Sequence, residues 1–205
     1  MVEHLVEAQG VRSSILLLRT KYRYKAMHEP NHFTSAKYLV FLDIDGVFTS
    51  NRVEITENTV GLLWSKFDPI AMNFMNRIHD SHEKVEFVLI STWRDGVLLN
   101  DAHANLWIVT ALRNAGFRGD LAYPLWKVNP YEDAELYQLK RAHETKHYLD
   151  NFAPYHKDFI IFDDTDYDFE GVLGKRRLIK TDSNDGLLFK HMKNALSIMG
   201  TWDKK

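Results

Sequence analysis

Two carboxylates one residue apart, in Asp43-Ile44-Asp45-Gly46, follow directly on the apolar run Tyr38-Leu39-Val40-Phe41-Leu42. Acidic side chains at the end of a segment patterned for burial are costly unless something there requires them. A magnesium ion is such a requirement: it takes hard oxygen ligands and keeps several waters, so one or two carboxylates and a phosphate oxygen satisfy it. A second apolar run, Phe159-Ile160-Ile161-Phe162, ends in the acidic pair Asp163-Asp164, with Asp166 and Asp168 close behind. A polar turn after a strand would explain either acidic site alone, but its recurrence after another buried run favours a shared, charge-based purpose. A third run, Val85 to Ile90, closes in Ser91-Thr92.

A different chemistry is spelled by His143-Glu144-Thr145-Lys146-His147, which on a helix sets two histidines on one face in the manner of a zinc hydrolase. That site lacks a clear third ligand, Glu170 being the nearest choice, and Lys146 puts positive charge between the ligands. Two histidines on a helix surface are the plainer explanation, in a chain that has 10 of them.

The elements that must carry these residues follow from their pattern. Continuous apolar runs of four to six residues are the signature of strands buried on both faces. Three are clear, and a weaker one covers Arg177 to Lys180. Between them lie segments of helical length, such as Phe67 to Ile78, with Ile70, Phe74, Met75 and Ile78 at helical spacing. Alternating strands and helices predict an α/β fold, a Rossmann-like three-layer sandwich with a central parallel sheet. The polar residues then sit just past the carboxyl ends of the strands, where open sheets of this kind hold their ligands.

Residues 1–36 read as an N-terminal helical extension, with Leu5, Val6, Val11, Ile15 and Leu18 at near-helical spacing, and residues 37–205 as the main domain. The basic, aromatic stretch Arg19 to Lys25 suits a phosphate backbone or simply a solvated helix face. A formal charge of −2 gives no global reason to bind nucleic acid. The chain has no cysteine, which excludes disulfides and thiolate-held metals and is compatible with a cytoplasmic setting. The apolar stretch Ile15 to Leu18 is too short to cross a bilayer, so no membrane association is expected.

The three motifs, taken together, resemble those of the haloacid dehalogenase (HAD) superfamily: an apolar strand ending in Phe41-Leu42-Asp43-Ile44-Asp45-Gly46-Val47, another ending in Val88-Leu89-Ile90-Ser91, and Ile160-Ile161-Phe162-Asp163-Asp164. The resemblance runs from about Lys37 to the C-terminus. More narrowly, Ser91-Thr92-Trp93-Arg94, the acidic pair and Thr181-Asp182 with Asp185-Gly186-Leu187 are similar to HAD domains of RNA-repair proteins and their single-domain relatives.

The resemblance implies a magnesium-dependent phosphatase that works through an aspartyl-phosphate. Asp43 is then the nucleophile and Asp45 the acid and later the base. Ser91 or Thr92 donates to the phosphoryl oxygens, and Arg94 holds the substrate phosphate. Mg²⁺ is held by Asp43, Asp45 through its backbone carbonyl, Asp163 and Asp164. The family's remaining motif is a basic residue, for which Lys140, with Arg141 beside it as a phosphate contact, competes with Lys146. No large cap fits between Gly46 and Ser91, so an open site is expected, suited to a nucleotide or a nucleic-acid end. Trp93, Trp107 and Trp126 are read as core or as base-stacking platforms. The rival readings are a non-catalytic phosphate-binding module of the same fold and the zinc hydrolase.

Overall fold

A computed structural model describes residues 36–60, 67–95, 104–122, 127–128 and 141–202. Its elements, in order, are β1 (Tyr38–Leu42), α1 (Asn51–Val60), α2 (Pro69–His79), β2 (Val85–Leu89), a 3₁₀ turn (Thr92–Asp95), α3 (Ala104–Asn114), β3 (Asp120–Leu121), α4 (Arg141–Phe152), β4 (Asp158–Asp163), α5 (Phe169–Leu173), β5 (Leu178–Lys180) and α6 (Phe189–Ile198). The expected N-terminal helical extension lies outside the described residues, as do the basic stretch Arg19 to Lys25, Trp126 and the side chain of Trp107.

The five strands form one sheet in the order β3-β2-β1-β4-β5, and every pair is parallel. Strand β1 is central, with all five residues buried, which is why its sequence shows no polar alternation. The pleat sends its side chains to two separate cores. Tyr38, Val40 and Leu42 pack with Met72, Met75 and Ile78 of α2, Leu112 of α3 and Met192 of α6. Leu39 and Phe41 pack with Ala142, Tyr148 and Leu149 of α4 and Phe169 of α5. Helices therefore cover both faces, giving the three-layer α/β arrangement that the sequence pattern predicts.

The strands predicted at Phe159 to Phe162 and Arg177 to Lys180 are present within a residue of those bounds. Helix α2 starts at Pro69, two residues after the expected Phe67. Asp68 caps it, its carboxylate accepting the Ile70 N–H at 2.8 Å, and proline suits the first helical position because it has no N–H to satisfy. Phe67 instead lies ahead of the helix, buried against Phe48. The segment after Gly46, expected to be too short for a large cap, contains helix α1. It is tied to the far end of the chain by Asn51 N–H to Ser183 O at 3.0 Å and Arg52 N–H to Asn184 O at 3.0 Å. Among the described residues no helix is long and apolar enough to cross a membrane.

The chain leaves β1 toward β2 on one side and meets β4 on the other, so the order of connection reverses across β1. A crevice opens at the carboxyl ends of the strands at such a reversal. Register fixes what lies there. Leu42 is opposite Leu89 of β2 and Phe162 of β4, so Asp43, Ile90 and Asp163 are the next residues on three adjacent strands.

Candidate active site

Asp43 extends the ladder by one more bond, its N–H donating to Phe162 O at 2.9 Å, and Ile90 N–H does the same to Leu42 O at 2.9 Å. The Asp43 side chain is thereby held by backbone rather than by a mobile loop. It is buried, as are Ser91 and Asp163, both with no exposed surface. The carboxylates of Asp43, Asp163 and Asp164 present one oxygen each within 4.8 Å of one another. Among the described residues they are the group of acidic or histidine side chains gathered closely enough to hold a metal ion.

Arg141, the first residue of α4, binds this cluster together. Its Nη1 lies 2.9 Å from Asp43 Oδ2 and 2.5 Å from Asp163 Oδ2, and its guanidinium rests on the Tyr167 ring, 4.5 Å from the centroid. The other carboxylate oxygens take backbone donors: Asp43 Oδ1 accepts from Ile44 N–H at 2.9 Å, and Asp163 Oδ1 from Thr165 N–H at 2.9 Å. Burial pushes the Asp163 carboxyl up to about 6; the Arg141 charge pulls against that and the Asp43 charge adds to it. Burial works to lower the Arg141 value, but the charges of Asp43 and Asp163 outweigh it and hold the guanidinium above its ordinary range.

Three carboxylates and one guanidinium leave an excess of two negative charges. Oxygen donors of that kind, clustered at one point with that excess, fit a divalent hard cation such as Mg²⁺. Gly46 makes the cluster possible. Its φ of +67° is a conformation that side chains disfavour, and a Cβ there would collide with the Asp164 carboxylate.

Asp45 is turned elsewhere. It is exposed, and its Oδ2 accepts the Trp93 indole N–H at 2.8 Å while its Oδ1 accepts the Thr49 hydroxyl at 3.0 Å. Its carboxylate is not part of the acidic cluster, so any share it has in holding a metal falls to its backbone carbonyl. The Trp93 contact is a feature that sequence reasoning misses, because a lone tryptophan after a strand reads as core or as a stacking surface. Trp93 N–H also donates to Ser91 Oγ at 3.3 Å, which leaves the serine's own hydrogen to be donated. Thr92 is exposed at the start of the 3₁₀ turn.

Of the three basic candidates, the structure brings Arg141 to the carboxylates. Lys146 is on the solvent side of α4, paired with Asp150 at 2.8 Å. Lys140 and the side chain of Arg94 lie outside the described residues. His143 and His147 are exposed on α4 and gather no third ligand among the described residues; His147 Nδ1 lies 3.3 Å from Asn151 Nδ2. Glu170 is exposed on α5.

Residues 39–192 match the family described as the HAD domain in Swiss Army Knife RNA repair proteins. No curated protein and no solved structure matches the chain. The matched span holds all three acidic positions, Arg141, Ser91 and, but for Tyr38, every strand of the sheet, so the chain belongs to this family of HAD domains, a superfamily of generally phosphohydrolase type.

Proposed function

We propose that the chain is a Mg²⁺-dependent phosphomonoesterase acting through an aspartyl-phosphate on Asp43, with a nucleotide or a nucleic-acid terminal phosphate as substrate. The observation that carries the reading is the packing of Asp43, Asp163 and Asp164 within 4.8 Å at the crevice of the sheet, with Arg141 between two of them. The RNA-repair proteins named in the family description support a nucleic-acid end as substrate. The cysteine-free composition suits a cytoplasmic setting.

In the first step a carboxylate oxygen of Asp43 attacks phosphorus, the bond from phosphorus to the leaving oxygen breaks, and Asp45 gives that oxygen its proton. In the second step Asp45 takes a proton from a water. The water oxygen attacks phosphorus, the bond to Asp43 breaks, and inorganic phosphate leaves. Backbone N–H donation from Ile44 and the paired guanidinium of Arg141 keep the Asp43 carboxylate aimed. Arg141 fills the role of the family's basic residue, in place of the expected Lys140, which lies outside the described residues. Ser91, and Thr92 at the rim, donate to the phosphoryl oxygens, and Arg94 and Lys140 remain candidates for the substrate's own charge. Asp43, Asp163, Asp164 and the Asp45 carbonyl would hold Mg²⁺, which supplies charge neutralisation at the phosphoryl group.

Phosphate release from nucleotides, phosphorylated oligonucleotides and an aryl phosphate, with Mg²⁺ or chelator, tests this directly. Wild type should turn over at least one ester only with metal. Asp43→Asn should lose about a thousandfold or more, because it removes the nucleophile, while its thermal midpoint stays close to that of wild type. Metal-independent release, or full activity in Asp43→Asn, would refute the reading.

A further inference from the structure

Asp45 has to hold a proton and hand it over in one direction, yet it sits exposed on a turn. A free carboxylate there would rotate about two side-chain torsions and spend most of its time misaimed. Two donors hold it instead, one on each oxygen: Thr49 from four residues along the same turn at 3.0 Å, and Trp93 from 48 residues away at 2.8 Å. Trp93 is itself fixed at two other points. Its backbone N–H is bonded to the fully buried Ser91 at 3.3 Å, and its ring packs on the buried Phe67 with centroids 5.9 Å apart. The indole thus ties Asp45 to the end of β2 and to the main core.

We propose that Trp93 is a positioning residue for proton transfer, setting the orientation of the Asp45 carboxyl toward the leaving oxygen. The inference rests on the phosphatase reading above and deepens it. The indole suits the role chemically, because Nε1–H only donates and has no lone pair to accept a hydrogen bond. It fixes Oδ2 without competing for the proton that Asp45 must deliver.

Trp93→Phe removes the N–H and keeps an aromatic ring against Phe67. Correct placement of a general acid is worth about 10²-fold or more, and it matters most when the leaving oxygen is a poor one. Trp93→Phe should therefore lower kcat on a nucleoside monophosphate or alkyl phosphate by about 30- to 100-fold with KM changed less than about threefold, and lower kcat on p-nitrophenyl phosphate at least about tenfold less. In an Asp45→Asn background the same change should have almost no further effect, since the group it positions is gone. An equal loss on all esters, or an undiminished loss beside Asp45→Asn, would overturn the inference while leaving the phosphatase reading standing. Silence of wild type on every ester would instead overturn that reading. A measurement independent of turnover separates the cases: the Trp93 indole N–H proton resonance should move upfield in Asp45→Ala, and an unmoved resonance would show that the contact does not exist in solution.

Discussion

Replacing Arg141 with methionine removes a buried charge and keeps most of the side-chain volume, which isolates the electrostatics of the acidic cluster. One guanidinium nitrogen sits 2.9 Å from Asp43 and 2.5 Å from Asp163. At an effective dielectric constant of about 20, a unit pair at that separation attracts by roughly 6 kcal/mol before the cost of desolvation is subtracted. Removing one partner of a buried pair typically costs about 3–5 kcal/mol, because the other charge stays behind unpaired. For a chain of this size that is a fall in thermal midpoint of about 6–20 °C at about pH 7 without metal.

The pH dependence of that fall is what makes the test specific. The Asp163 carboxyl is raised from 3.8 to about 6 in the folded protein. Its contribution to stability is therefore fully present below the unfolded value and is lost as pH rises through about 6. Going from about pH 7 to about pH 5 should stabilise metal-free wild type through this group by on the order of 1 kcal/mol. Arg141→Met should gain more over the same interval, because Asp163 loses the cation that pulled its value down. Mg²⁺ should also narrow the gap between variant and wild type at about pH 7, since the ion supplies the missing charge. Urea or thermal unfolding at both pH values, with and without Mg²⁺, reads all of this. A variant equally destabilised at both pH values and indifferent to Mg²⁺ would show that Arg141 is only packing, and would refute the idea of a charge-coupled cluster.

Asp45→Asn should slow turnover most on esters with poor leaving groups, and a loss uniform across a leaving-group series would count against Asp45 as the acid. Gly46→Ala forces a side chain into a φ of +67° and a Cβ against Asp164; a destabilisation of about 1–3 kcal/mol is expected, together with weaker Mg²⁺ binding by calorimetry, and unchanged Mg²⁺ affinity would mean that Asp164 does not ligate. His147→Ala should leave bound-metal content and phosphate release at wild-type levels, since the residue lies on the exposed face of α4; loss of stoichiometric zinc from the variant, seen by metal analysis, would revive the zinc reading.

The parts of this fold that were legible in the sequence are those that are buried on both faces. Strands β1 and β4 appear as unbroken apolar runs, and β2 as a run interrupted only by Glu86, because each faces a core above and below, and the site residues mark where each run stops. What escaped notice had no such imprint. Strand β3 is two residues at the sheet edge, Asp120 and Leu121, and exists through its pairing with Glu86 and Phe87; no local pattern announces it. Helix α1 has a weakly amphipathic, largely polar sequence, so nothing separates it from a loop before its N-terminal end is seen tied to Ser183 and Asn184.

Which of Arg141 and Lys146 faces the carboxylates is closed to sequence for a geometric reason. At 100° per residue, Lys146 lies well round the helix from Arg141, so once α4 begins at Arg141 with that side chain toward the strand ends, Lys146 must face solvent, where it meets Asp150. Composition cannot set that phase, because it depends on where the helix starts. The tie between Asp45 and Trp93 is different, since the information was present but needed the register to be read. With β1 and β2 adjacent, parallel and aligned at Leu42 and Leu89, Asp45 falls three residues past one strand and Trp93 four past the next. The two side chains are then neighbours at the same rim, although 48 residues separate them in the chain. A carboxylate beyond β1 therefore has a natural source of orienting donors in the turn after β2, and in this chain the residue at that position, Trp93, has an indole N–H that can only donate.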